Sequence, residues 1–145
     1  MLIKYYFFTF LIVTSNVLLS QIKKGDKYVQ KNMYVKAISC YNKATKTKNT
    51  TDKQVAFTKL ANVHKTINNY QLAEVAFQQA LTIGNFSDNE DYYNYAQVLK
   101  INNKYTEAAE QYQNYLKTNP NNSSAKNALK FCKEIKYYTS KPIEY

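Results

Sequence analysis

The sequence predicts an all-α solenoid, in which three helical hairpins stack side by side and a C-terminal capping helix closes the stack. Two observations carry this. Ala37, Ala73 and Ala108 recur at intervals of 36 and 35 residues, and a fixed period of that length marks repeat architectures. Around them, Tyr34, Ala37, Tyr41 and Ala44 align with Tyr70, Ala73, Phe77 and Ala80, and again with Tyr105, Ala108, Tyr112 and Tyr115. Spacings of 3, 4 and 3 put each set on one helical stripe. The small residue lets two helix axes approach, and the aromatic one turn later fills the space beyond. Tyr115 departs from the pattern, because a small residue is expected there, and its bulk is expected to disturb the local packing.

The elements follow in order. Residues 1–20 carry Lys4 and then a mostly apolar run from Tyr5 to Leu19, which fits a secretory signal peptide cut after Ser20, with an uncleaved amino-terminal anchor as the alternative. The run is shorter and more polar than a membrane span of about 20 apolar residues. Repeats are expected at about 21–50, 54–86 and 89–121, a capping helix at 123–138, and a linker-like tail at 139–145 that contains Pro142. Within the repeats the polar pairs Lys31-Asn32, Asn68-Asn69 and Asn102-Asn103 suit tight turns that need left-handed backbone. Thr51 with Gln54, and Ser87 with Glu90, have capping-box spacing for the starts of the second and third hairpins. Gly84 follows the apolar run ending at Ile83, where a left-handed glycine can close a helix. The last helix carries Ala125, Ala128, Leu129, Cys132 and Ile135 on one face, which suits a lid over the open end of the last repeat.

Gly25, Tyr28, Tyr34, Ala37, Tyr41 and Ala44 resemble the glycine, tyrosine, alanine and aromatic positions of a tetratricopeptide repeat. Leu60, Ala61, Tyr70, Ala73, Phe77 and Ala80 resemble a second copy, and Ala96, Tyr105, Ala108, Tyr112 and Pro120 a third. The resemblance covers 21–138 and implies a protein-interaction solenoid whose inner groove is lined by the first helix of each hairpin. By position that groove takes in Ile22, Asp26, Val29 and Gln30, then Thr58, Lys59, Asn62, Lys65 and Thr66, then Tyr93, Asn94, Gln97, Lys100 and Ile101. Asp26, Gln30, Lys59, Asn62, Lys65, Tyr93, Asn94, Gln97 and Lys100 are the candidate binding residues, facing an extended peptide or a partner loop. A variant of the family grips a peptide's terminal carboxylate with lysine and asparagine in its first repeat. Ile22 and Asp26 occupy those places here, so that clamp is not expected.

Charge is uneven. The formal net charge is +10, yet residues 21–65 hold eleven lysines against Asp26 and Asp52, whereas 66–125 hold three lysines against six acids. All twenty basic residues are lysine. Base and phosphate recognition leans on the planar fork of arginine, so nucleic acid is not the expected partner despite the positive charge. The basic end suits an acidic partner or an anionic surface, including peripheral contact with an outer membrane.

No catalytic, metal or cofactor constellation is legible. His64 is the single histidine and takes the place of Tyr28 and Leu99 in the other copies, a packed position. Cys40 and Cys132 lie 92 residues apart, in the first hairpin and in the capping helix, so neither metal-ligand spacing nor an internal disulfide is expected. Asp88, Glu90 and Asp91 cluster where they complement a helix start. Two glycines, Gly25 and Gly84, exclude a glycine-rich phosphate cradle.

A narrower likeness lies in DYYNYAQVLKINNK and the following YTEAAEQYQNYLKTNP. These resemble the N-terminal part of bacteroidete OmpA-like outer-membrane-associated proteins, some of which serve secretion and gliding. There the order is signal peptide, tetratricopeptide repeats, a propeller-like region and a peptidoglycan-binding domain. This chain resembles the first two parts, and its ending, KYYTSKPIEY, resembles the linker that follows them. The expected protein is therefore a non-catalytic scaffold of the cell envelope, with a basic adaptor for anionic polymer or membrane surface as the alternative. Mass spectrometry of the exported protein should find Gln21 at its amino terminus; intact Met1 in a cytosolic fraction would refute the export reading.

Overall fold

The computed structural model describes residues 20–139. The expected export segment falls outside them except for Ser20, as does the tail beyond Thr139. Among the described residues there are seven helices and no strand. They are α1 (20–30), α2 (Tyr34–Ala44), α3 (Thr50–Thr66), α4 (Tyr70–Ile83), α5 (Glu90–Ile101), α6 (Tyr105–Leu116) and α7 (Ser123–Thr139). Helices α1 and α2, α3 and α4, and α5 and α6 are the three hairpins. Helix α7 packs on α6 as the lid.

The hairpin turns repeat atom for atom. Asn32, Asn68 and Asn103 adopt φ of 55°, 59° and 62°, a left-handed conformation that costs most L residues about 1–2 kcal/mol and asparagine less. In each turn the amide three residues past the helix reaches back to the carbonyl five residues earlier. Met33 donates to Tyr28, Asn69 to His64 and Lys104 to Leu99, all at 2.8 Å. The asparagine amides donate to Val29, Lys65 and Lys100 at 2.9, 3.0 and 3.1 Å. Carbonyls left without partners at a helix end are satisfied in this way. The opening tyrosine of the next helix completes the lock, as Tyr34, Tyr70 and Tyr105 donate their hydroxyls to Asn32, Asn68 and Asn103 Oδ1 at 2.9, 2.7 and 2.7 Å.

The expected stripes are the core. Ala37, Ala73 and Ala108 are fully buried, with Tyr41, Phe77 and Tyr112 beside them. Gly25 is required by the same packing: a Cβ there would lie 2.4 Å from Cε1 of Tyr41. Phe86, in the loop before α5, is a wedge between hairpins, with ring centroids 5.8 Å from Phe77 and 4.9 Å from Tyr92. Tyr115 fits without disturbance. It is buried, its hydroxyl donates to Glu90 Oε1 at 3.0 Å and accepts from Asn122 Nδ2 at 3.0 Å. It thereby ties the start of α5 to the residue whose Oδ1 caps α7 through the Ala125 amide at 2.9 Å.

The helix ends differ from the sequence reading at three places. Asn49, not Thr51, caps α3, accepting from the Asp52 amide at 3.0 Å. At α5 it is Asp88 rather than Ser87 that accepts from the Glu90 amide, at 3.0 Å. Gly84 is extended (φ 167°) and not left-handed, because the carbonyls at the end of α4 find another donor. Gln54 Nε2 reaches Ala80, Gly84 and Asn85 oxygens at 3.2, 2.6 and 2.9 Å. Cys40 and Cys132 are buried free thiols. His64 is buried with Nδ1 unbonded, and burial lowers its pKa, so the imidazole is held neutral.

Ala73 tests the register. Ala73→Leu adds methylenes to a sealed contact and should lower the free energy of unfolding by about 1–3 kcal/mol in urea titration with an unchanged m value; a variant as stable as the parent would refute the packing described here.

Candidate interaction groove

The first helices α1, α3 and α5 stand next to one another across the stack, and their polar residues bond from hairpin to hairpin. Lys59 Nζ lies 2.9 Å from Asp26 Oδ1, an oxygen that also accepts from the Tyr41 hydroxyl at 2.7 Å. Asn62 Nδ2 donates to Asp91 Oδ1 at 3.0 Å, and Lys65 Nζ to Asn94 Oδ1 at 2.6 Å. Lys59, Asn62 and Lys65 follow one another at a spacing of 3, so α3 presents a single polar ridge that grips both neighbours.

A depression flanks this ridge on either side. The larger, about 440 Å³, lies between α1 and α3 and is bordered by Asp26, Val29, Gln30, Tyr41, Lys59, Asn62, Val63 and Thr66. The smaller, about 210 Å³, lies between α3 and the start of α5 and is bordered by Gln54, Val55, Thr58, Lys59, Asn62, Ser87, Asp88 and Asp91. Of the sequence candidates, Asp26, Gln30, Lys59 and Asn62 come together here, and Lys65 and Asn94 form the next rung. Tyr93 stands apart, its ring packed 5.7 Å from Tyr112 and 5.0 Å from Tyr115. Gln97 is half-buried, and Lys100, also half-buried, holds its charge close enough to α7 to oppose the rise of the Cys132 thiol.

Some groove positions read from the sequence are interior. Ile22 is buried with Ala44 and Ala56, since it lies on the α1 face turned toward the hairpin seam. Thr58 is buried and returns its hydroxyl to the Gln54 carbonyl at 3.0 Å. Asp91 and Gln54 also border the site and were not among the candidates. Asp91 was read as a helix-start charge, yet it is the acceptor for Asn62. Its signal is the offset of 29 residues that separates Asn62 from Asp91 and Lys65 from Asn94 alike. Gln54 had been assigned to a cap of its own helix.

Electrostatics in the groove are governed by partial burial. Burial lowers the Lys65 pKa, partly opposed by Glu90. Burial raises that of Asp91, reinforced by Asp88 and Glu90 and opposed by the Asn62 bond and Lys59. Fixed donors and acceptors of this kind can bond an extended chain laid across them. Among the described residues no three His, Cys, Asp or Glu side chains are grouped to hold a metal ion, and no helix is long and apolar enough to cross a membrane.

A stack of helical hairpins with a polar inner row is the architecture of helical-repeat interaction modules. The tetratricopeptide repeat model matches residues 55–83 and 92–122, so the second and third hairpins are such repeats by sequence, and the fold is that of a tetratricopeptide solenoid. Among curated protein sequences none matches this chain. Among solved structures, the first tetratricopeptide domain of Spaghetti (RPAP3) bound to the HSP90 peptide SRMEEVD is 26% identical, with a TM-score of 0.69, over 81% of this chain and 91% of that one. The first such domain of human RPAP3 is 25% identical (TM-score 0.67, 86% of this chain and 97% of that one). MamA is 23% identical (TM-score 0.70, 88% and 73%) and is alike in fold.

Asp91 gives a pH signature. Its folded pKa is raised, so the folded state binds the extra proton first, and this residue's contribution to stability improves as pH falls from neutral through the raised value toward the unfolded value near 3.9. Asp91→Asn should remove that component and be as stable as the parent or more so at pH 7, in thermal melts run from pH 7 to 4; an identical pH profile in both proteins would contradict the burial described.

Proposed function

We propose that this chain is a non-catalytic protein-interaction scaffold that holds an extended peptide or a loop of a partner protein across the ridge of Lys59, Asn62 and Lys65. The observation that carries the reading is the pair of depressions on either side of that ridge, bordered by side-chain carboxylate, amide and ammonium groups already fixed by bonds between hairpins. Preorganisation of this kind lowers the ordering cost of binding. The peptide held by the related Spaghetti domain supports a peptide ligand. The terminal-carboxylate clamp is not proposed, since Ile22 is buried and Asp26 is committed to Lys59 and Tyr41.

The finer setting is also a proposal. The Lys4-led apolar run and the likeness of 91–120 to bacteroidete OmpA-like proteins support an exported scaffold of the cell envelope, periplasmic or attached to the outer membrane, within a secretion-type assembly. The second reading, a basic adaptor for anionic polymer or membrane surface, draws on the eleven lysines of residues 21–65.

Peptides selected on the immobilised protein from a random display library separate the two. Lys59→Ala should leave stability within about 0.5 kcal/mol, because an exposed ion pair contributes little, yet weaken selected peptides about tenfold. Peptide binding should survive 1 M salt, where the Debye length is about 3 Å. Binding of phosphatidylglycerol vesicles alone, lost at that salt, would instead establish the adaptor; unchanged peptide affinity in Lys59→Ala would remove the groove from consideration.

A further inference from the structure

The second helix of each hairpin turns a face away from the groove, and that face is patterned. Lys36, Leu72 and Glu107 occupy one and the same place in the three copies, 36 and 35 residues apart, and Ser39, Val75 and Glu110 occupy the place one turn on. All six are exposed. Helix α2 carries Lys36 and Lys43 and no acid, and α6 carries Glu107 and Glu110 and no base. The one charge on α4, Glu74, is mostly buried and is bonded by Lys104 and Asn102. The outer face therefore runs from +2 through neutral to −2. Its neutral centre exposes Leu72 at 49% and Val75 at 52%, large apolar side chains that the described residues leave half open. Lys36, Lys43, Glu107 and Glu110 form no ion pair among the described residues.

From this inversion of charge about an apolar centre we infer that the outer face binds a second copy of the same chain, through a two-fold axis running alongside α4. A two-fold interface sets a patch against itself, so the patch must be its own complement. Rotation about an axis parallel to α4 lays α2 over the other copy's α6 at the same turn, and Lys36 meets Glu107 of the partner subunit twice. Leu72 and Val75 then meet their own counterparts on the axis. Rotation about an axis across α4 would set α2 on α2 and Lys36 on Lys36, which like-charge repulsion disfavours. A membrane or a polyanion calls for one sign across the whole face, and this face carries both. With two apolar residues per copy and exposed charge pairs of modest strength, the dissociation constant should be roughly micromolar.

Sedimentation equilibrium of the purified full chain tests this with Lys36→Glu, Glu107→Lys and the two combined. The parent should be a monomer–dimer system, each single reversal should weaken the dimer about tenfold or more, and the double variant, which exchanges the partners' charges, should return to within about threefold of the parent. Leu72→Lys should give a monomer with an unchanged thermal melt. A parent that stays monomeric at every concentration overturns the proposal, as does association that is equal in all variants, the result expected if residues 1–20 caused it. Binding of phosphatidylglycerol vesicles that Lys36→Glu abolishes and the double variant does not restore would overturn it in favour of a membrane surface. These substitutions lie on the face opposite the groove, so peptide binding serves as an independent control.

Discussion

The close approach of paired helices at Ala37, Ala73 and Ala108 is the constraint on which the rest of the structure depends. With no side chain beyond Cβ, these positions bring the paired helices near enough for Tyr41 to reach Asp26 and Tyr112 to reach Tyr93 in their own hairpins, and for Phe77 to reach Tyr95 in the next. That reach dictates Gly25, which leaves room for the Tyr41 ring, and it places the Tyr41 hydroxyl on Asp26. Asp26 in turn holds Lys59. A packing rule in the seam is thus converted, through one phenol and one carboxylate, into the position of a groove side chain.

Bonds within and between hairpins have a common reach. Asp26 to Lys59, Gln54 to Gly84, Asn62 to Asp91, Asn89 to Tyr115 and Asn102 to Tyr70 each span about one period or a little less. No element depends on one distant in the chain, which suits a fold whose stability is the sum of hairpins and of the interfaces between nearest neighbours. The lid obeys the same rule, since Tyr115 contacts both the start of its own hairpin and Asn122 immediately after it.

Much of this was legible in the sequence because repetition supplies its own control. An asparagine in one turn is ambiguous; Asn32, Asn68 and Asn103 at repeat spacing identify the left-handed residue of each turn. The alanine and aromatic stripes were legible for the same reason. Features that occur once were not. Gln54 sits where a capping box would use it, and only the chain path shows that its amide finds the carbonyls of residues 80–85. Gly84 was consequently given a conformation it has no need to adopt. Tyr115 was expected to crowd a small-residue site because the repeat pattern does not weigh its hydroxyl partners, Glu90 and Asn122. In the groove, Lys59 and Asn62 stand where the repeat resemblance implies, whereas Tyr93 is directed by two tyrosines of α6 that such a placement does not weigh.

The Tyr–Asn lock at each hairpin turn bears on how such a chain can change in length. Every bond of the lock, from the carbonyl of Tyr28 to the hydroxyl of Tyr34, closes within seven successive residues, so a turn is complete before any neighbouring hairpin exists. Tandem duplication or loss of a 35-residue unit would carry whole turns with it and leave none half-made. The ridge of α3 has no such autonomy, because each of its rungs is completed by a residue of an adjoining unit. Recombination of whole units would therefore conserve the scaffold and reshuffle the inner surface, separating the inheritance of shape from that of specificity.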